Sequence, residues 1–246
     1  MIQYYYFPKS HWSRAISLVI VEKQIEVERH FVDIRKNESF EPEYLRLNPK
    51  GVVPTLVDEG TPVCNSPRIA EHLDNLAGPP LCTQAAKAWI EELTEFPLML
   101  FSYSVWVLGD KGERSAEILD DKVERALRYA EQYPDLAEQY IRKRDYFIEF
   151  RANVLDSSHV EQQVQHYLGV LERMRDAVAS SAWLAGEDYS FADAIATSIL
   201  FRLVDLKILF DWHSDPEHPL SHYLRRLQER PSYRAVFVDD PLLSQL

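Results

Sequence analysis

The chain has little of what marks secreted, metal-binding or nucleic-acid-binding proteins. Among its 246 residues there are only two cysteines, Cys64 and Cys82, which make neither a disulfide framework nor a spacing typical of a metal site. Lys and Arg number 27 against 39 Asp and Glu. The resulting net charge of −12 argues against nucleic acid or an anionic membrane as the main partner.

Long apolar runs are also missing. The most apolar stretches, residues 97–108 and 194–210, are interrupted by polar or charged side chains, so neither is expected to span a bilayer. Met1 leads directly into Ile2 and Gln3, without the basic and apolar segments of a secretion signal. Hydrophobic residues make up 46% of the chain, enough for a sizeable core. These features predict a folded protein of the reducing cytoplasm.

The order of elements predicts two domains of different class. Strand patterns at residues 2–7, 27–34, from 53 onward and at 62–64 alternate with helix patterns at 13–23 and from 66 onward. After a Gly-Pro-Pro linker at 78–80, every segment has helical periodicity, at 84–108, 115–133, 135–154, 158–180, 191–208 and 218–230. We therefore expect an α/β, thioredoxin-like domain over residues 1–77 and an all-helical domain over residues 83–246.

Two short motifs in the first domain predict a binding site for a small peptide. A cis peptide bond is plausible at Val53-Pro54, and it would expose the Val53 backbone N–H and C=O to an extended peptide. Twelve residues further on, Asn65-Ser66-Pro67 precedes an amphipathic helix, with Ser66 expected as its N-cap. The free N–H groups of a helix start attract a carboxylate.

These motifs resemble the glutathione-binding elements of the glutathione transferase superfamily. The segment Phe40-Glu-Pro-Glu-Tyr-Leu-Arg-Leu-Asn48 is similar to the zeta-like branch, which includes tetrachlorohydroquinone dehalogenases, and residues 18–23 are similar to ganglioside-induced differentiation-associated proteins. The resemblance implies an enzyme with glutathione as co-substrate, no metal and a homodimeric assembly. It also implies that Val53, Pro54, Asn65 and Ser66 hold glutathione. Its glycyl carboxylate would be bound by Arg35 or Lys36.

The resemblance also implies a hydroxyl that stabilises the glutathione thiolate. Alignment with the zeta-like pattern places Ser10 on the thiol-contacting serine, with Tyr6 and Ser13 as alternatives. The same alignment places Trp12 where dehalogenases carry a cysteine, which removes the thiol needed for mixed-disulfide chemistry and disfavours reductive dehalogenation. A Ser-His nucleophile at Ser10 and His11 is disfavoured, since neighbouring side chains do not face each other.

Four aromatic residues are candidates for an apolar pocket that binds the electrophile: Trp12, Phe101, Tyr103 and Trp106. Aromatic side chains at helical spacing belong more often to ordinary core packing, and one sequence does not separate the two interpretations. The predicted reaction is conjugation, or displacement of a halide or ether group. The alternatives are a zeta-type isomerase and a non-catalytic binding protein. The only ligand-like cluster fits no defined metal site: His213, Asp215, His218 and His222.

Overall fold

The computed structural model describes residues 1–108, 112–208 and 211–245, without the side chains of 105–108, 112–115, 211 and 245. The chain forms two compact units. The first consists of Met1–Val32, Val53–Phe96 and Gly169–Leu246, and the second of Asp33–Val52 and Pro97–Leu168. The domain limits predicted from the sequence, 1–77 and 83–246, stay a prediction.

The first unit contains a four-stranded mixed sheet with the strand order β2-β1-β3-β4. Its strands are β1 (Ile2–Tyr6), β2 (Val27–Phe31), β3 (Thr55–Asp58) and β4 (Thr61–Cys64). Strand β1 runs parallel to β2 and antiparallel to β3, and β3 pairs antiparallel with β4. Glu59 and Gly60 both have positive φ in the turn between β3 and β4, as a tight hairpin requires. The sheet confirms the predicted α/β class of the N-terminal region.

The helices confirm the helical class of the C-terminal region. In chain order they are α1 (His11–Glu22), α2 (Pro42–Leu47), α3 (Ser66–Asp74), α4 (Lys87–Thr94), α5 (Leu98–Leu108), α6 (Gly112–Gln132), α7 (Ala137–Leu155), α8 (Ser157–Ser180), α9 (Phe191–Asp205), α10 (Asp211–Ser214), α11 (Pro219–Gln228) and α12 (Pro231–Phe237). Among the described residues, no helix is both long and apolar enough to traverse a membrane.

Three differences from the predicted helices have local causes. The helix predicted over 84–108 is two helices, α4 and α5, because Pro97 lacks an amide hydrogen and its ring clashes with a preceding carbonyl. Helices α2 and α12 were not predicted from the sequence. Each begins with a proline, Pro42 or Pro231, a residue favoured at the first helical position.

Helix α9 begins at a capping box formed by Ser190 and Asp193. The Ser190 N–H and Oγ–H donate to Asp193 Oδ2 at 2.9 and 2.8 Å. The Leu184 N–H and the Tyr223 hydroxyl donate to Asp193 Oδ1 at 3.0 and 2.6 Å. Asp193 is fully buried, and all four contacts bind its carboxylate into the fold. Helix α9 packs on α1 within the first unit, so this cap supports the helix that begins beside Ser10.

Candidate functional site

The ends of three strands bring the predicted glutathione-binding segments to one end of the sheet. Tyr5 near the end of β1 pairs with Thr55, and Thr55 pairs with Cys64 at the end of β4. The loop after β1, the residues before β3 and the residues after β4 therefore leave the sheet at the same end. These segments carry Ser10, Val53-Pro54 and Asn65-Ser66, the residues that the two motifs single out.

Ser10 is the N-cap of α1 and keeps a hydrogen to donate. Its amide donates to Phe7 O at 2.9 Å, which closes the loop after β1. Its Oγ accepts from the Ser13 N–H at 3.4 Å, the capping bond. Among the described residues, no acceptor faces the Ser10 O–H. The half-buried hydroxyl can therefore cap the helix and donate to a bound sulfur at the same time.

The two alternative hydroxyl donors are both buried. The Tyr6 hydroxyl lies 3.2 Å from Asp240 Oδ2, and Tyr6 is only 1% exposed. Burial, together with the Asp240 charge, raises the pKa of Tyr6. Ser13 is fully buried, and its Oγ accepts from the Phe7 N–H at 3.3 Å. The burial of Tyr6 and Ser13 favours the half-buried Ser10, and the assignment of the donor stays a prediction.

The Val53-Pro54 peptide bond is cis, as the sequence predicts. The preceding carbonyl, Val52 O, accepts from the Tyr44 hydroxyl and from Asn48 Nδ2, each at 2.8 Å. Because a trans peptide is planar, the Val53 N–H points away from that fixed carbonyl. Neither the N–H nor the C=O of Val53 bonds to another residue in the described part of the chain. An extended peptide could pair with both groups.

The start of α3 lies one residue earlier than predicted. Asn65 is the N-cap and Ser66 the first helical residue, because the Ile69 N–H bonds to Asn65 O at 2.9 Å and closes the first turn there. Asn65 has φ 79° and ψ 121°, an uncommon conformation that is typical of functional sites. The amide and hydroxyl of the buried Ser66 bond to no other described residue. Its role in binding a carboxylate stays a prediction.

The predicted cation for the glycyl carboxylate lies in the second unit. Arg35 pairs with Asp33, with Nη2 and Oδ2 2.9 Å apart, and its hydrogen bonds lower the pKa of Asp33. Lys36 has a side chain that is 74% exposed and reaches Asp33 only at 3.8 Å. Lys36 therefore makes a weaker contact with Asp33 than Arg35 does. Its contact with glutathione stays a prediction.

The predicted pocket residues have different surroundings. Trp12 is half-buried, with its ring centroid 5.2 Å from that of His11. Phe101 is buried edge-on against Tyr167, as a core residue would be. Tyr103 is half-buried and packs edge-on against Phe150. Trp106 belongs to α5, but its side chain lies outside the described residues. Their role in binding an electrophile stays a prediction.

The described surroundings of the histidines differ from one residue to the next. Burial, with Arg202 and Arg14 adding to it, lowers the pKa of His11 to about 3. No hydrogen bond joins Ser10 to His11 among the described residues. His218 caps α11, its Nδ1 accepting from the Leu220 N–H at 3.2 Å. No group of three His, Cys, Asp or Glu side chains suited to a metal ion occurs in the described part of the chain.

Comparison with known proteins shows which family the chain is similar to. Residues 9–76 match the family model described as glutathione S-transferase, N-terminal domain. The chain is 31% identical over 244 residues to the tetrachloro-p-hydroquinone reductive dehalogenase of Sphingobium chlorophenolicum, covering 96% of each chain. It is 24% identical to glutathione S-transferase TCHQD of Arabidopsis thaliana, covering 96% of this chain and 89% of that protein.

A solved structure shows the same fold at lower sequence identity. The beta-etherase LigF from Sphingobium sp. strain SYK-6 superimposes with a TM-score of 0.73 at 20% identity. The match covers 97% of this chain and 99% of that one. Because the match covers almost the whole chain, it includes the helical region as well as the sheet.

Proposed function

Because the chain belongs to the glutathione S-transferase family, we propose that it activates the glutathione thiol for attack on an apolar electrophile. The product is a conjugate, or the attack displaces a halide or ether group. The observation that carries the proposal is the hydroxyl of Ser10, whose hydrogen has no acceptor among the described residues. It lies in a loop at the end of the sheet from which the Val53-Pro54 and Asn65-Ser66 segments also leave.

The main chemical task is to ionise the thiol. A free thiol has a pKa of about 8.5, so only a few per cent is thiolate at neutral pH. Lowering that pKa by about two units takes roughly 2.7 kcal/mol. A single hydroxyl that donates to the charged sulfur supplies energy of that order, since a hydrogen bond to a charged group contributes about 1.5 to 3 kcal/mol. The thiol proton passes to solvent and the thiolate attacks carbon. In a displacement the leaving group departs with the bonding electrons; in an addition the substrate keeps that electron pair and takes a proton from solvent.

Binding would use backbone groups as much as side chains. The Val53 N–H and C=O pair with the cysteinyl backbone of glutathione, in the manner of an added strand. The free amide at the start of α3 and the Ser66 hydroxyl hold the γ-glutamyl carboxylate. Because these groups lie just before a strand and at a helix end, they are held in place before the ligand arrives.

Displacement is favoured over reductive chemistry by the residue two positions after Ser10. A relative is named a reductive dehalogenase, and such a reaction through a mixed disulfide needs a second reactive thiol. Trp12 provides none beside Ser10. Burial, with the charges of Asp74 and Glu71 adding to it, raises the pKa of Cys82 to about 12, which keeps it a thiol at neutral pH.

Glutathione is expected to raise the midpoint of thermal unfolding by several degrees at millimolar concentration. Ligand that binds only the folded protein stabilises it by about 2.7 kcal/mol at a hundredfold excess over Kd. Differential scanning fluorimetry measures the shift, with dithiothreitol at equal thiol concentration as the control for reduction. The absence of a shift specific to glutathione would contradict the proposed function. A shift without turnover on a panel of activated halides and aryl ethers would instead favour the non-catalytic alternative.

Asn65→Asp is expected to tighten glutathione binding by about threefold to fivefold. A carboxylate pairs with the γ-glutamyl ammonium more strongly than an amide oxygen does, and exposure limits the gain to about 1 kcal/mol or less. Asp tolerates positive φ about as well as Asn, so the turn should persist. Titration calorimetry gives Kd, with Asn75→Asp at the other end of α3 as the charge-matched control. An equal effect of both variants would contradict contact at Asn65.

A further inference from the structure

A buried lysine holds the turn that leads to Val53. Lys143 on α7 is 7% exposed. Its Nζ donates to the carbonyl oxygens of Lys50 and Gly51, both at 2.9 Å. The same nitrogen lies 4.2 Å from the centre of the Phe40 ring, a cation–π contact. Two consecutive carbonyls of the turn are thus fixed by one side chain from a helix more than ninety residues away in sequence.

This lysine has no carboxylate partner in the described part of the chain. Burial, with the nearby charge of Lys122 adding to it, lowers the pKa of Lys143 to about 7. Burying an amine without an ion pair costs stability. The buried lysine fixes the positions of the Lys50 and Gly51 carbonyls.

The turn and the lysine fit each other closely. Gly51 has φ +56°, and a Cβ at this position would lie 2.7 Å from Lys143 Nζ and 2.6 Å from Ser39 O. Only glycine lets the backbone approach the ammonium this closely. One residue later, Tyr44 and Asn48 fix the carbonyl of Val52. The turn is therefore held at three successive carbonyls.

We infer that Lys143 is a positioning residue for glutathione. By fixing the Lys50 and Gly51 carbonyls, it sets the direction in which the chain enters the Val52–Val53 peptide, whose N–H would pair with the cysteinyl backbone. The inference rests on the proposed function, because it concerns the same binding segment. Lys143 itself would touch neither the ligand nor the reacting atoms.

Lys143→Met is expected to weaken binding of S-methylglutathione about tenfold. This ligand has no titratable thiol, so Kd from calorimetry reports binding and not thiolate formation. Lys122→Met is the matched control, since Lys122 Nζ also lies over the Phe40 ring, at 5.3 Å, but bonds to Asn37 and not to the turn. The control should change Kd by less than twofold. Lys143→Arg, which keeps donors for both carbonyls, should recover part of the loss.

Two results would overturn the inference, and only one of them would also contradict the proposed function. If wild type binds S-methylglutathione and Lys143→Met binds it within twofold, only the positioning role of Lys143 falls. If wild type does not bind, the proposed function falls as well. Kd is measured well below the unfolding midpoint of each variant, so lost stability does not count as lost affinity. If Lys143→Met does not fold, Lys143→Gln is measured instead, because its shorter side chain reaches one carbonyl at most. A Kd for S-methylglutathione within twofold of the wild-type value would again overturn the inference.

Discussion

Ser10→Ala is expected to raise the pKa of the bound glutathione thiol by about two units, to the ~8.5 of a free thiol. If the wild-type value is near ~6.5, about half of the bound thiol is ionised at that pH, against about one per cent in the variant. The rate of conjugation at ~pH 6.5 should therefore fall about fiftyfold, comparable to the loss of other single donors. Above ~pH 9 the difference should vanish, because both proteins then hold thiolate.

The helix cap must be separated from the donated hydrogen bond. Ser10 Oγ also accepts from the Ser13 N–H, and replacing a serine N-cap by alanine costs about 1 kcal/mol of stability. Glycine at the same position costs only a few tenths of a kcal/mol and removes the same hydroxyl. Ser10→Gly should therefore match Ser10→Ala in thiolate pKa while unfolding at a higher temperature. Ultraviolet absorbance of the bound thiolate across pH gives the pKa directly.

Tyr6→Phe and Ser13→Ala test the two alternative donors in the same titration. Neither should move the thiolate pKa, because the Tyr6 hydroxyl contacts Asp240 and Ser13 is fully buried. Both should lower stability, since each leaves a buried polar group without its partner. A thiolate pKa that rises in Tyr6→Phe and not in Ser10→Ala would move the donor to Tyr6.

Sequence motifs predicted the parts of the site that depend on neighbouring residues. The cis Val53-Pro54 bond follows from a proline at the entrance to a strand. The start of α3 was displaced by one residue, since a helix begins where its first carbonyl is bonded, not where a favoured cap residue occurs. Local chemistry fixes such elements to within a residue or two.

Contacts between distant residues could not be predicted in this way. Lys143 meets Lys50 across 93 positions, and Tyr6 meets Asp240 across 234. No periodicity or spacing within either segment indicates these partners, because they depend on tertiary packing. The same limit applies to Ser13, which the sequence offers as a donor and packing buries.

Asp193→Ala is expected to lower the free energy of unfolding by about 3 to 5 kcal/mol. The substitution removes the acceptor of four hydrogen bonds and leaves the donors of Leu184, Ser190 and Tyr223 buried without partners. Each such group costs about 1 to 3 kcal/mol, and relaxation of the α9 terminus recovers part of the sum. Urea unfolding measures the loss, and a decrease below about 1 kcal/mol would contradict the structural role of Asp193.

Asp205→Ala is the matched control on the same helix. Asp205 pairs with Arg202 at 2.7 Å, but its side chain is 50% exposed, so its removal should cost less than about 1 kcal/mol. The pKa of the bound thiolate shows whether Asp193 acts only on folding. At a temperature where Asp193→Ala is still folded, its bound thiolate should keep the wild-type pKa, because Asp193 supports α9 and donates nothing to the ligand. A shifted thiolate pKa in that variant would instead mean that the α9 cap sets the geometry of α1 and of Ser10 at its start.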